Sequence, residues 1–237
     1  MALTLEDFLS LNGLDFHDQG LIQRALTHRS YLNEIPDDVV AEDYERLEFL
    51  GDAILQFVCG DYLFRQFPDE QEGYLTRTRA ALVNTEACAA YARAMQVGDA
   101  LRLGKGDERT GGRNRQNVLA DAFEAIVGAL YLDQGLEAAR AFLVARFEER
   151  LKLVLSSGED ARVRLQELSQ MIFGITPSYQ HLGEAGPSHS PTMSADVLIG
   201  ESVVGHGQGR SKQLAARAAA ADALARWDDI VSGMQTR

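Results

Sequence analysis

Two short acidic runs carry the chemistry that can be read most directly from the chain. In Glu45-Arg46-Leu47-Glu48-Phe49-Leu50-Gly51-Asp52-Ala53 the carboxylates fall at i, i+3 and i+7. On a helix that spacing projects Glu45, Glu48 and Asp52 from one face, while Leu47, Leu50 and Ile54 form a buried side. A second run, Leu119-Ala120-Asp121-Ala122-Phe123-Glu124-Ala125-Ile126, sets Asp121 and Glu124 at i and i+3 of an otherwise apolar helix. Like charges so placed repel by about a few tenths of a kcal/mol per pair when exposed, and by more when half-buried. Arg46 is the nearest cation in sequence, but a helix turns it away from these acids. A solvated helix face would explain either run alone. Together they supply hard oxygen ligands of the kind Mg²⁺ or Mn²⁺ takes, and no His or Cys cluster suggests zinc. The chemistry that suits such a set is phosphodiester hydrolysis by a water that the metal activates.

The elements that must position these acids follow from hydrophobic spacing. From Thr4 to about Leu155 apolar residues recur at three and four, as in Leu47, Leu50, Ile54, Phe57 and Val58, which predicts helix after helix. Breaks are expected at Gly13, near Pro36, at Pro68, at Gly98 and through Gly104–Gly112. Ser156-Ser157-Gly158-Glu159-Asp160 reads as a polar linker. Beyond it the period changes. A helix over Arg162–Phe173 precedes strands near Ser178–Leu182, Thr192–Gly200 and Glu201–Gly205. In the middle strand Met193, Ala195, Val197 and Ile199 alternate with Ser194, Asp196 and Leu198. A last helix runs from Ser211 to about Trp227 and turns Leu214, Ala218, Ala221 and Leu224 inward. The expected fold class is therefore an all-α domain over 4–155, a linker over 156–160, and a small α+β domain of order α-β-β-β-α over 161–230.

Charge and composition narrow the function classes. Of 237 residues 46% are hydrophobic and 24% charged, enough for a packed core and against global disorder. The net charge is −12, all of it carried by residues 1–160, while residues 161–237 balance seven basic against seven acidic groups. No stretch is long and apolar enough for a membrane span, and Glu6 and Asp7 near the start argue against a secretory signal. Cys59 and Cys88 lack zinc-ligand spacing and read as buried, reduced thiols of a cytoplasmic protein.

Glu45–Ala53 resembles, residue for residue, the signature of bacterial ribonuclease III. Leu26-Thr27-His28-Arg29-Ser30-Tyr31, Glu72-Gly73 before Arg77 and Arg79, Gly104–Arg115 and Leu119–Ala125 support the resemblance, and the C-terminal segment is similar to a double-stranded-RNA-binding domain. The resemblance implies a helical catalytic domain that forms a homodimer, with a valley for an A-form duplex. By position it makes Glu48, Asp52, Asp121 and Glu124 metal-binding acids, with Asp52 and Glu124 the central catalytic pair. It makes Glu45 and Glu72 members of an outer acidic cluster. It further implies Mg²⁺ as cofactor with Mn²⁺ substituting, and precursor ribosomal RNA as the usual substrate class. The expected products are staggered ends with 5′-phosphate and 3′-hydroxyl. Tyr44 departs from the family, which often has Asn before this glutamate.

Candidate RNA contacts follow the same frame. The glycine-rich segment 104–115 carries Lys105, Arg109, Arg113 and Arg115 directly before the helix of Asp121, a position that suits phosphate contact. A-form RNA displays 2′-hydroxyls in a shallow minor groove, so the C-terminal domain should read shape. Gln166 and Glu167 on its first helix, His189 in the Gly186–His189 turn, and Arg210, Ser211 and Lys212 at the start of its last helix fit that task. Gln213 stands where a second lysine is usual and Met193 where an aromatic is common, so one phosphate contact fewer is expected. A non-catalytic double-stranded-RNA-binding protein on the same fold is the competing class, and a nucleotide phosphohydrolase a weaker third. Retention of all four inner acids speaks against the former, and the RNA-binding domain against the latter.

Overall fold

The computed structural model describes residues 3–36, 41–156, 159–185 and 192–235. Its contacts divide the chain into two units, Met1–Leu151 and Lys152–Arg237. The helices begin with α1 (Leu5–Asn12), α2 (Gln19–Ala25), α3 (Arg29–Leu32), α4 (Glu45–Gln66), α5 (Glu72–Val83) and α6 (Thr85–Ala94). After them come α7 (Val97–Ala100), α8 (Lys105–Arg109), a 3-10 turn at Gly112–Asn114, and α9 (Gln116–Ser156). Among the described residues no helix is long and apolar enough to cross a membrane.

Local chemistry sets several of these boundaries. The Thr4 hydroxyl accepts from the Asp7 amide to cap α1, and Gly13 ends it in the left-handed region at φ 61°. The break expected at Gly98 falls instead at Gln96, φ 58°, and Gly98 lies inside α7. Gly98 serves a close approach: a Cβ there would stand 2.5 Å from the Arg113 carbonyl oxygen.

The core centres on α4 and the first half of α9. On α4 the buried side is Leu47, Gly51, Ile54, Leu55, Val58, Cys59 and Leu63; Leu50, expected with them, is only half-buried. Leu119, Ala122, Phe123, Ala125, Ile126, Val127 and Ala129 of α9 are all buried, so this stretch is enclosed on nearly every side. Gly135, with φ 82° and ψ −176°, then breaks the helical path. Cys59 and Cys88 are buried free thiols, and burial pushes Cys59 up to about 12, which leaves it protonated.

The second unit comprises α10 (Glu159–Phe173), β1 (Ser178–Ala185), β2 (Thr192–Ile199), β3 (Ser202–Gly209), α11 (Lys212–Ala225) and α12 (Trp227–Gln235). The strands form an antiparallel sheet in the order β1-β2-β3, with Tyr179 opposite Val197 and Val197 opposite Gly205. Irregularities between His181 and Gly183, and between Val197 and Leu198, shift the register. The second of these ends the simple alternation, and Asp196 is buried beside Ala195 and Val197. Both β1 and β3 run past their expected ends at Leu182 and Gly205. A separate α12 follows where the last helix was expected to stop.

The inward face of α11 also differs from expectation. Ala215, Ala216, Ala219, Ala220 and Ala223 are buried, whereas Leu214 is 42% exposed and Ala221 faces out. The reason lies in β3, whose Gly205, Gly207 and Gly209 share one face. A Cβ on Gly205 would stand 2.4 Å from the Ala219 carbonyl oxygen, and one on Gly207 2.1 Å from the Ala219 nitrogen. The helix backbone thus rests almost on the strand, and only alanine fits between them. Leu165, Val197, Ile199 and Val204 complete this core.

Candidate active site

The acids come together because two helices cross without side chains between them. A Cβ on Gly51 of α4 would lie 1.7 Å from the Glu124 carbonyl oxygen, and one on Gly128 of α9 would lie 2.3 Å from that of Leu47. No side chain larger than hydrogen fits at either point. Glu48 and Asp52 flank the crossing on α4, and Asp121 and Glu124 flank it on α9.

Carboxylates of the two helices act on one another's charge. Burial raises Glu124 to about 8 from 4.5, with Asp52, Asp121 and Glu48 each adding to the rise. Burial likewise raises Glu48, and Asp121, Glu45 and Asp52 push it further. Asp121 is raised by burial, opposed by the His28 ring. The Cys88 sulfur lies against Glu124, 3.6 Å from the Val83 carbonyl oxygen to which its thiol also points. Asp52 is exposed and 3.4 Å from the Gln56 side-chain nitrogen. Among the described residues no three His, Cys, Asp or Glu side chains converge closely enough to enclose an ion as they stand. The set is open. It is all-oxygen, strained by its own charge and short of cations, which fits a hard divalent ion that keeps several waters.

This arrangement predicts a pH effect in chelator. Folding lifts Glu124 from 4.5 to about 8, so the folded metal-free chain keeps a proton that the unfolded chain has lost. The stability this group contributes is complete below about pH 4.5 and disappears as pH rises through about 8. Glu124→Gln abolishes the dependence. Melting curves in EDTA should therefore show the variant gaining on the wild type between these limits, and parallel curves would refute the burial of this acid.

The segment 26–31 holds the N-terminus of α4. The Tyr44 amide donates to the Thr27 carbonyl oxygen (3.0 Å), and the His28 amide to that of Arg102 (3.0 Å). The buried Tyr44 ring meets the His28 ring edge-on at 5.7 Å. Tyr44 thus acts as a packing residue at the start of α4, and burial together with Asp121 and Glu48 raises its phenol. Arg29, not Arg46, supplies the local cation: its guanidinium pairs with Glu45 at 3.0 Å. Arg29 lies sixteen residues before Glu45, outside any spacing that α4 could reveal, since it belongs to α3. Glu72 opens α5, is exposed, and accepts from the Thr76 hydroxyl at 2.7 Å; no described interaction links it to the four inner acids.

Two of the four basic residues expected to meet phosphate have internal partners. The Arg113 guanidinium donates to Glu108 (2.8 and 2.9 Å) and to the carbonyl oxygens of Gly98 (3.0 Å) and Leu101 (2.6 Å). Arg115 pairs with Asp107 at 2.8 Å and donates to the Thr110 hydroxyl. These ties shape the segment, which is the short α8 and a 3-10 turn rather than an open loop. Lys105 and Arg109 are exposed on α8, with the Arg109 Nε bonded to the Lys105 carbonyl oxygen. In the second unit Gln166, Arg210 and Lys212 are exposed and Glu167 is half-buried. Ser211 caps α11, its hydroxyl accepting from the Leu214 amide at 3.3 Å. His189 and its turn lie outside the described residues.

Comparison with known proteins is consistent across both units. Residues 18–151 match the family model described as Ribonuclease-III-like, and residues 161–226 match the double-stranded RNA binding motif. The chain is similar to Ribonuclease 3 of Roseiflexus sp. (strain RS-1), 42% identical over 227 residues that cover 94% of this chain and 96% of that protein. It is 46% identical over 220 residues to Ribonuclease 3 of Chloroflexus aurantiacus, covering 91% and 88% respectively. The nuclease domain of ribonuclease III from Campylobacter jejuni matches with a TM-score of 0.55 at 37% identity, over 61% of this chain and 94% of that domain. A second structure of that domain, concerned with flexibility in a region involved in dimer formation, matches equally well over 60% of this chain.

Proposed function

The chain belongs to the ribonuclease III family, and from that premise we propose how its residues divide the work of an endoribonuclease acting on double-stranded RNA. The observation that carries the reading is the Gly51–Gly128 crossing, beside which acids from two helices raise one another's pKa. Glu48, Asp52, Asp121 and Glu124 would hold Mg²⁺, or Mn²⁺ in its place. When bound, that ion supplies a Lewis acid for the phosphoryl oxygen and an activated water. Asp52, on the exposed side, faces the substrate. Glu124, half-buried against Cys88, can hold a proton near neutral pH and give it up when positive charge arrives. Glu45, steadied by Arg29, and Glu72 form the outer acidic cluster that meets the strand.

The catalytic domain spans 4–155 and the RNA-binding domain 161–230, with the linker between. Lys105 and Arg109 offer phosphate contacts, while Arg113 and Arg115 act chiefly by shaping the segment that carries them. Gln166, Glu167, His189, Arg210, Ser211 and Lys212 serve the second domain, with Ser211 also holding the first turn of its helix. The products are staggered ends with 5′-phosphate and 3′-hydroxyl, precursor ribosomal RNA is the main substrate class, and the protein works in the cytoplasm. Incubation of a perfect RNA duplex with and without Mg²⁺, followed by end analysis, tests the reading; cleavage that ignores Mg²⁺, or blunt ends, would sink it.

The active form is a homodimer joined through α4. Phe49, Phe57 and Phe64 recur along one side of this helix and are 81%, 55% and 71% exposed, an apolar stripe that water does not favour. Sedimentation should give twice the mass of 26.0 kDa at micromolar concentration, and Phe49→Lys should shift the boundary to the single chain. A wild-type monomer under those conditions contradicts the interface.

A further inference from the structure

The basic segment of the catalytic domain hangs from α3. Helix α8 has five residues, too few to hold its own direction, and its N-cap is Gly104, which has no side chain to close the first turn. Ser30 of α3 and Glu34 just beyond it do that instead. The Gly104 amide donates to the Ser30 hydroxyl oxygen at 3.0 Å, and the Lys105 amide donates to the Glu34 carboxylate. Gly104 also lies so close to α3 that a Cβ there would stand 2.5 Å from the Ser30 carbonyl oxygen. The same Ser30 hydroxyl, with Arg115 behind it, holds the Asp107 carboxyl of α8 below the usual carboxylate range, and it stands 2.7 Å from Nδ1 of His28. The other side of this stretch grips α4. Arg29, next to Ser30, pairs with Glu45 at 3.0 Å, the Thr27 carbonyl oxygen takes the Tyr44 amide, and the His28 ring meets the Tyr44 ring. Residues 27–34 thus form a strut, with one end on the start of α4 just before Glu48 and Asp52, and the other on the start of α8 that carries Lys105 and Arg109.

We propose that Ser30 and Glu34 are positioning residues for cleavage: by closing the first turn of α8 from α3 they fix the phosphate contacts of Lys105 and Arg109 relative to the acids of α4. Neither residue touches the substrate. Each acts through the direction of α8, so that a strand held at Lys105 and Arg109 presents its scissile phosphate at Asp52 and Glu124. A cap supplied from the neighbouring element suits this task, because α3 is itself tied to the start of α4, and a displacement of α8 cannot occur without breaking a bond to that strut. The proposal rests on the reading of Lys105 and Arg109 as phosphate contacts, and deepens it.

The test is a double-mutant cycle on the full chain, with Ser30→Ala/Glu34→Ala as one pair, Lys105→Ala/Arg109→Ala as the other, and all four changes together. Three quantities are read: the single-turnover rate at saturating RNA duplex with Mg²⁺, duplex affinity with Glu124→Gln added to prevent cleavage, and amide hydrogen exchange. A misplacement of about 1 Å can cost about 10²-fold, so Ser30→Ala/Glu34→Ala should lower the saturated rate by about 10–10²-fold and affinity by no more than the other pair does. Added to Lys105→Ala/Arg109→Ala, the same change should cost little further rate, since no phosphate contact is left for α8 to position. Ser30→Thr/Glu34→Gln keeps a hydroxyl and an acceptor oxygen and should restore most of the rate. The amides of Gly104 and Lys105 should exchange faster in the alanine pair while those of α4 and α9 keep their protection. A wild-type rate for Ser30→Ala/Glu34→Ala overturns the proposal, as does unchanged protection of the two amides. An equal loss with and without Lys105 and Arg109, or lost protection throughout α4, marks a structural effect and also defeats it. If Lys105→Ala/Arg109→Ala leaves both rate and affinity at wild type, the phosphate-contact reading itself fails, whatever the exchange at Gly104 and Lys105 shows.

Discussion

Glu124→Gln should lower single-turnover cleavage of duplex RNA by several orders of magnitude while duplex binding persists. The substitution keeps the shape of the side chain and removes one negative charge from the set formed with Glu48, Asp52 and Asp121. In the proposed mechanism that set stabilises the charge that develops at phosphorus, and losing one such electrostatic partner typically costs about 10²–10³ in rate. Loss of affinity for the metal compounds the effect. The proposed binding residues lie elsewhere, in the second unit and on α8, so retention on duplex should be close to that of the wild type. The decisive comparison is cleavage and binding on one preparation across a range of Mg²⁺ concentrations. Cleavage near the wild-type rate would show that Glu124 is no part of the site. Equal loss of binding and cleavage would assign it to docking or structure.

Gly51→Ala should be the most damaging single methyl group in the catalytic domain. Its Cβ would fall 1.7 Å from a backbone oxygen of α9, and neither helix has a flexible side chain there that could swing away. The helices must part, losing packing that buries Leu47, Ile54, Phe123 and Val127. Overpacking of this kind costs about 1–3 kcal/mol, and more where backbone meets backbone. Activity should fall further than stability alone explains, because a shift of about 1 Å between catalytic groups can cost about 10²-fold. Gly106→Ala makes the control. Nothing lies within 4 Å of a Cβ at that helical, exposed position, so the same change should be neutral or slightly stabilising. Chemical denaturation and single-turnover rates on both variants separate the two effects. A Gly51→Ala protein with wild-type stability would refute the close crossing.

Much of the site is legible in the chain because it is local. The i, i+3 and i+7 spacing of Glu45, Glu48 and Asp52 fixes a shared helix face by the 3.6-residue period alone, and Asp121 and Glu124 follow the same rule. The helical first domain and the α-β-β-β-α second domain are legible for the same reason: periods of 3.6 and 2 are properties of neighbouring residues. What the period could not supply was the partner of each face. Arg29 reaches Glu45 from another helix, and Arg113 turns inward because Glu108 and two carbonyl oxygens meet it there. Leu214 looked like part of the inner face of α11 because it is a large apolar group, yet it is exposed, while Leu224 further along does pack against the core. The glycines of β3 bring that helix too close for anything but alanine. The same holds for Gly51 and Gly128. Their spacing from the acids is written in the sequence, but the distance between two glycines 77 residues apart along the chain is decided only when backbone meets backbone, because contact across a fold depends on what both surfaces leave out as well as what each presents.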